Sequence, residues 1–331
     1  MADTNAQQYL FERIREVVPP EKSLVSVIAE VLHLSEDSTY RRLRGETPLV
    51  LEEVRELCKH FRISLDQLLQ ISSHSTLFET IRIHNTAYTF EAFLTDLVKR
   101  LEAVNRIPEK HVYYLTKDIP LFHHFVFRPL FAFRYFFWMK SILQHPDFVN
   151  TTFTLDCLPA SVESLGQKIL QLYNQIPSTE IWNTECVNSI ILQLEFYREV
   201  GFFPSAGDLK AVYGSLLQTI QHIEAQAEMS KKYVPDENPA HKPENFSFFN
   251  NRITLGDNTV LVYTPSGKMT YLNFEVLNYM FTSDTGFCDQ TYEALQNLMR
   301  RSTLISGVSE KQRKIFFNIL SHKIQDRIDN L

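Results

Sequence analysis

Glycine and cysteine are both scarce in this sequence. Only nine glycines stand among 331 residues, and strict alternation of apolar and polar residues is rare, which argues against a protein built mainly of strands. Residues that favour helices are common, so a mainly α-helical protein is predicted. The four cysteines lie far apart and form no CxxC pair. A disulfide scaffold is therefore not expected, and the thiols should be free and buried.

The sequence also has no excess of positive charge. Its formal net charge is −6, and residues 1–75 hold nine basic against twelve acidic residues. A protein that binds nucleic acid through phosphates alone, without regard to sequence, would need a basic surface. This class is disfavoured, whereas a protein that concentrates its arginines on one helix is not.

A long uncharged apolar run is missing as well. The most apolar stretch, Ile119–Leu143, contains Arg128, Arg134 and Lys140 and is broken by Pro129. Charged residues are costly in hydrocarbon, so a buried pair of helices is predicted and no membrane partner is expected. The amino-terminal segment has no basic start followed by an apolar run, and a cytoplasmic protein is expected.

Motifs that mark the common enzyme classes are not found either. The sequence has no P-loop, GxGxxG, HExxH or GxSxG motif. His123 and His124 are adjacent and would point to different faces of a helix, so with His111 they are interpreted as packing or surface residues and not as a metal site. We therefore expect no enzyme activity, cofactor or metal.

Three segments follow one another along the chain. Residues 1–75 are predicted to form a small helical head. Residues 76–232 are predicted to form a large α-helical body that senses a signal or dimerises. A proline-rich loop, 231–247, leads to residues 248–331. There, runs at 250–255, 259–264 and 269–272 predict a small antiparallel β-meander, followed by helices that pack on the body.

The head divides into short helices with recognisable caps. Apolar spacing predicts five of them, at 7–17, 24–32, 38–44, 51–61 and 64–70. Ser23 and Ser64 are expected to cap helix starts, and Asp37 or Ser35 to cap the third helix, with Asp37 preferred. One core should form from Leu10, Ile14, Ile28, Leu32, Tyr40, Leu43, Val54 and Leu57.

The stretch SLVSVIAEVLHLSEDSTYRRLRGETPLVLEEVRELCKHFRISLDQLL resembles the Cro/lambda-repressor-like (XRE) helix-turn-helix family. The family's small residue in the second helix, its turn and its closing Arg-Gly are matched by Ala29, His33-Leu34 and Arg44-Gly45. The resemblance covers residues 7–71 and departs in its turn, where His33 replaces glycine. It implies a bacterial, sequence-specific transcription regulator that binds double-stranded DNA, usually as a homodimer.

The third helix is the expected recognition helix. If Tyr40 and Leu43 form its buried face, its polar residues point outward, where arginine can donate two hydrogen bonds to a guanine edge. The predicted DNA-binding residues are Ser38, Thr39, Arg41, Arg42, Arg44 and Lys22. The last two are expected to contact the phosphate backbone. The alternative interpretation of YRRLRGE is an ordinary solvated helix face.

The role of the body is less closely specified. Its aromatic residues at 122–138 form either a core or the lining of a pocket for an apolar or peptide ligand, so a small-molecule or peptide effector stays an open expectation. The stripe of Ile315, Phe316, Ile319, Leu320 and Ile324 is either core or an interface. Because the head is acidic, an alternative function is a protein-interaction module that recruits a protein partner.

Overall fold

The computed structural model describes residues 6–19, 21–61, 63, 65, 76–81, 89–253 and 256–331. The chain divides into two compact units, Met1–Leu77 and Phe78–Leu331. The predicted fifth helix of the head, 64–70, lies outside the described residues except for Leu65, and so does its predicted cap Ser64. No helix in these ranges is long and apolar enough to cross a membrane.

The first unit is helical. Its described helices are α1 (Ala6–Val17), α2 (Leu24–Leu32), α3 (Glu36–Leu43) and α4 (Leu51–Phe61). Ser23 caps α2 by accepting a hydrogen bond from the Ser26 amide, and Ser35 caps α3 by accepting from the Ser38 amide. The preferred cap of α3, Asp37, was therefore wrong, because that residue already lies inside the first helical turn.

The core of the first unit is small and apolar. Leu10, Ile14, Ile28 and Leu57 are buried as predicted, and Phe11 joins them. Leu32, Leu43 and Val54 are partly buried at the edge of this core. Tyr40 is 45% exposed, so its predicted place in the core was wrong.

The second unit combines helices with one sheet. Its described helices are α5 (Phe90–Arg106), α6 (Arg128–Phe137), α7 (Ala160–Gln175), α8 (Asn188–Glu199), α9 (Ala206–Met229), α10 (Thr285–Arg300) and α11 (Glu310–Asp329). Its strands are β1 (Glu79–Ile81), β2 (His111–Leu115), β3 (Ser178–Trp182), β4 (Phe246–Asn250), β5 (Thr259–Thr264), β6 (Gly267–Asn273), β7 (Tyr279–Thr282) and β8 (Thr303–Leu304).

These strands form one mixed sheet in the order β1-β7-β6-β5-β2-β3-β4-β8. Strands β5, β6 and β7 are antiparallel neighbours, and β5 and β6 are the predicted runs at 259–264 and 269–272. The predicted small meander was nevertheless wrong, because β5 pairs with β2, and β2, β3 and β4 are mutually parallel. Of the predicted strand at 250–255, Asn250 is the last residue of β4, residues 251–253 belong to no strand, and Thr254 and Leu255 lie outside the described residues.

The two faces of the sheet pack against different helices. Val112 and Tyr114 of β2 lie in the main core with α5 and α7, whereas Tyr113 and Leu115 lie in a smaller cluster with Leu295 of α10. The stretch 119–143 is buried, as predicted, through α6 and the π-helical turn Trp138–Ile142 that follows it. Its aromatic residues are largely core.

A buried carboxylate lies at the centre of the second unit. Glu180 on β3 is fully buried, and its oxygens accept hydrogen bonds from Tyr173 Oη (2.6 Å), Trp182 Nε1 (2.8 Å) and His123 Nε2 (3.0 and 3.1 Å). Burial raises the pKa of Glu180, but the charge and hydrogen bond of His123 and the hydrogen bond of Tyr173 outweigh it, so its pKa is lowered. Lys232, also buried, donates to the Tyr173 carbonyl at 2.7 Å.

Replacing Glu180 should destabilise the second unit strongly. Glu180→Ala leaves three buried donors without an acceptor, and breaking a buried charged pair costs about 3–5 kcal/mol. Urea unfolding followed by circular dichroism measures the loss. Glu102→Ala is the control, because Glu102 pairs with Lys168 on the surface and solvent screens that pair. Equal midpoints for both variants would contradict a structural role for Glu180.

Candidate nucleic-acid interface

The predicted recognition helix, α3, is fixed at its start by a tight turn. α2 ends at Leu32, and the next residue, His33, takes a left-handed conformation with φ 53° and caps the helix through its amide. Two residues later Ser35 caps α3. The turn is therefore closed by a histidine in a conformation that glycine adopts freely and that costs a residue with a side chain some strain.

The turn sets which face of α3 is buried. Thr39 is fully buried and its hydroxyl donates to the Ser35 carbonyl at 3.1 Å, whereas Tyr40 is exposed. The prediction that Thr39 points outward and Tyr40 inward was wrong. It assumed that the buried residues are Tyr40 and Leu43, but a helix that starts at Glu36 turns Thr39 and Leu43, four residues apart, toward the same side.

The side chain of Arg42 also lies away from the exposed side of α3. Its guanidinium donates to both carboxylate oxygens of Glu53 on α4, at 3.0 and 2.8 Å, and each side chain is 15% exposed. Glu53 in turn accepts from the Val50 amide at the start of α4. The predicted outward orientation of Arg42 was wrong, since this forked ion pair holds α3 against α4.

A side chain of α1 forms hydrogen bonds at the carboxyl-terminal end of α3. Gln7 Nε2 donates to the carbonyls of Arg42 (2.8 Å) and Thr47 (3.0 Å), and Gln7 Oε1 accepts from the Leu49 amide at 2.9 Å. One amide group thus satisfies three backbone groups just after α3. The turn that begins at Arg44 is held in a single position.

The open face of α3 carries Asp37, Tyr40, Arg41 and Arg44. Arg41 pairs with Asp37 at 3.2 Å and Arg44 with Glu46 at 3.6 Å, and the side chains of these two ion pairs are all more than half exposed. The Arg44 guanidinium lies 5.8 Å from the centre of the Tyr40 ring. Such exposed pairs are weak, so a phosphate or a base edge can compete for either arginine.

The other predicted contacts lie near this face. Ser38 is half-buried and its hydroxyl accepts a hydrogen bond from that of Ser35 at 3.1 Å. Lys22 is exposed one residue before the cap of α2. Tyr40 was not predicted to lie on this face, although its spacing of three and four residues from Asp37 and Arg44 marks a shared helix face.

Metal ligands are not grouped in the described residues. No cluster of three or more His, Cys, Asp or Glu residues there could hold an ion. His123 and His124 are both buried in the second unit, where His123 binds Glu180. The four cysteines are free, with Cys186 and Cys288 buried and Cys58 and Cys157 half-buried.

The amino-terminal part of the chain is similar to one known domain family. The model of the BetR domain matches residues 5–107, which include α1 to α4 and continue through β1 and α5. No curated protein matches the chain. Because the match covers less than a third of the sequence, it describes the amino-terminal part only.

Arg42 and Arg41 should differ in their effect on stability. Arg42→Ala removes the forked bond to a mostly buried Glu53 and should destabilise the first unit by about 1.5–3 kcal/mol. Arg41→Ala removes an exposed pair and should change little. Hydrogen exchange of amides in α3 and α4, measured by mass spectrometry on the full chain, reports on this unit alone. Faster exchange in Arg41→Ala than in Arg42→Ala would reverse the assignment.

Proposed function

We propose that this protein is a sequence-specific, DNA-binding transcription regulator of the Cro/lambda-repressor-like (XRE) type. Its first unit reads double-stranded DNA, and its second unit senses a signal and dimerises. The observation that carries the proposal is the open face of α3, where Tyr40, Arg41 and Arg44 lie together on a helix held by Ser35, Gln7 and Glu53.

The geometry of α3 suits the major groove of DNA. The groove is about 12 Å wide and admits one helix, and α3 is a helix of eight residues with an exposed face. On that face Arg41 can donate two hydrogen bonds to a guanine edge, while Arg44 and Tyr40 can contact bases or phosphates. Ser38 and Lys22 flank the face as further contacts.

The charge of the first unit favours specific over general binding. Both exposed arginines of α3 pair with acidic neighbours, so the DNA must replace Asp37 and Glu46 as their partners. A duplex that offers only phosphates gains little from this exchange, whereas one that offers a matching base edge gains directed hydrogen bonds. One small head binds weakly, and pairing two heads raises the effective concentration.

A protein-interaction module is the second candidate. The same ion pairs give the open face an acidic component through Asp37 and Glu46, which a basic protein surface could contact. If this candidate is correct, the protein does not bind duplex DNA even at low salt. The DNA experiment below therefore separates the two functions.

The arginines of the open face should carry the DNA affinity. The full chain is first used to select duplexes from a random-sequence pool, and the selected site is then measured by fluorescence anisotropy. Arg41→Ala and Arg44→Ala should each weaken binding by about 1–3 kcal/mol. Arg55→Ala is the matched control, because Arg55 is an equally exposed arginine of α4, paired with Glu56.

Two results would count against this proposal. A pool that shows no enrichment at low salt would contradict DNA recognition and favour the protein-interaction module. Equal losses in Arg55→Ala and Arg41→Ala would mean that general charge, and not the open face of α3, produces the binding.

The second unit should make the protein a homodimer. Dimers of this DNA-binding type read two half-sites about one helical turn apart. The final helix, α11, buries Phe316, Leu320 and Ile324 in the unit's own core and exposes only Ile315 and Ile319, so its stripe is mostly core. Light scattering of the full chain should give a protein mass of twice 38.7 kDa, both alone and, once the mass of the DNA is subtracted, with the selected duplex. The protein mass of a single chain in both samples would contradict the prediction of a dimer.

A further inference from the structure

A polar cavity lies in the second unit at the ends of two parallel strands. It measures about 110 Å³ and is bounded by the segment after β2, the start of α8 and the π-helical turn. β2 is parallel to β3 on one side and antiparallel to β5 on the other. In open sheets with helices on their faces, ligands commonly bind in the crevice outside the carboxyl ends of parallel strands.

Polar atoms without partners concentrate in this cavity. Among the described residues, nine buried side-chain nitrogens or oxygens lack a hydrogen bond, and four of them belong to residues that line it: His124 Nδ1, Arg134 Nε, Trp138 Nε1 and Asn273 Oδ1. A buried polar atom without a partner costs about 1–3 kcal/mol. Four such atoms around one cavity indicate that a polar ligand supplies their hydrogen-bond partners.

A cation and a carboxylate also line the cavity without forming a pair with each other. Arg134 is 8% exposed, donates to Gln193 Oε1 and lies 4.9 Å from the centre of the Trp138 ring. Asp118 forms a hydrogen bond with Ser189, and its burial raises the pKa of its carboxyl group. Within the described residues Arg134 and Asp118 form no ion pair, although each senses the charge of the other.

We propose that this cavity binds a small amino acid with an apolar side chain, in its zwitterionic form. Arg134 Nε–H and Trp138 Nε1–H donate to the carboxylate, and Asp118 and Asn273 Oδ1 accept from the ammonium group. A simple anion would leave Asp118 unpaired, and a simple amine would leave Arg134 unpaired. A zwitterion leaves neither charge without a partner.

The remaining walls favour an apolar side chain. Ile119, Ile190 and Leu277 line the same cavity, and none of them offers a hydrogen bond. A second cavity of about 120 Å³ lies beside it, shares Tyr114, Leu121 and Tyr279 with it, and is almost wholly apolar. The three residues that both cavities share form the wall between them.

The test uses the full chain with matched probes. L-Alanine, L-valine and L-leucine are titrated by isothermal calorimetry, and the unfolding temperature is followed by fluorescence. 4-Methylpentanoate, which lacks the ammonium group of leucine, and 3-methylbutylamine, which lacks its carboxylate, are the controls. At least one amino acid should bind and raise the unfolding temperature. Each control should bind at least about tenfold more weakly than leucine, because each loses charge-assisted hydrogen bonds.

Variants locate the binding in this cavity. Arg134→Met should abolish binding, because it removes the cation that donates to the ligand carboxylate. Arg313→Met is the matched control. Arg313 is 4% exposed and donates to the carbonyls of Ile305 and Val308, both at 3.1 Å. Its loss should lower the unfolding temperature and leave ligand affinity unchanged.

A milder variant keeps the test valid if Arg134→Met does not fold. Trp138→Phe retains the ring and removes only the Nε1–H donor, so it should weaken binding about tenfold. The proposal is overturned if none of the three amino acids binds, if 4-methylpentanoate binds as tightly as leucine, or if Trp138→Phe binds with unchanged affinity. DNA binding plays no part in any of these readouts.

Discussion

The packing of the second unit depends on the hydrogen bonds that keep the buried carboxylate of Glu180 charged in the absence of hydration. Its hydrogen-bond partners come from three different places in the chain: His123 after β2, Tyr173 on α7 and Trp182 on β3 itself. Lys232 adds a nearby cation, and burial lowers the pKa of its ammonium group to about 7. Since each partner is needed to offset the loss of hydration, the elements that carry them are fixed relative to one another.

The strands that carry this network, β2 and β3, are also the strands that could not be predicted from the sequence. The pairing of β5 and β6 could be predicted because both strands are short runs with β-branched or aromatic residues, bounded by turn residues. β2 and β3 were missed, since a five-residue strand covered on both faces does not alternate. All five residues of β3 are buried, with the charged Glu180 among them. A small mixed sheet inside a helical segment therefore has no periodic signal.

The helices of the first unit show what spacing alone can determine. The bounds of α2 and α4 and most of the core could be predicted from apolar periodicity and capping residues. The buried face of α3 could not, because it depends on a left-handed His33 and on which serine accepts the first amide. The partner of Arg42 could not be predicted either, since Glu53 lies eleven residues away on another helix. Such contacts follow from packing and not from local pattern.

The hydrogen bonds of Gln7 place an unusual restriction on how this sequence can evolve. The amide uses both hydrogens of its nitrogen and one lone pair of its oxygen on three backbone groups near the end of α3. Glutamate has the same shape but lacks the donors, and asparagine offers both kinds of group on a side chain that is one methylene shorter. Neither substitution keeps all three hydrogen bonds, so the residue at this half-buried position is determined by hydrogen-bond geometry and not by apolar packing.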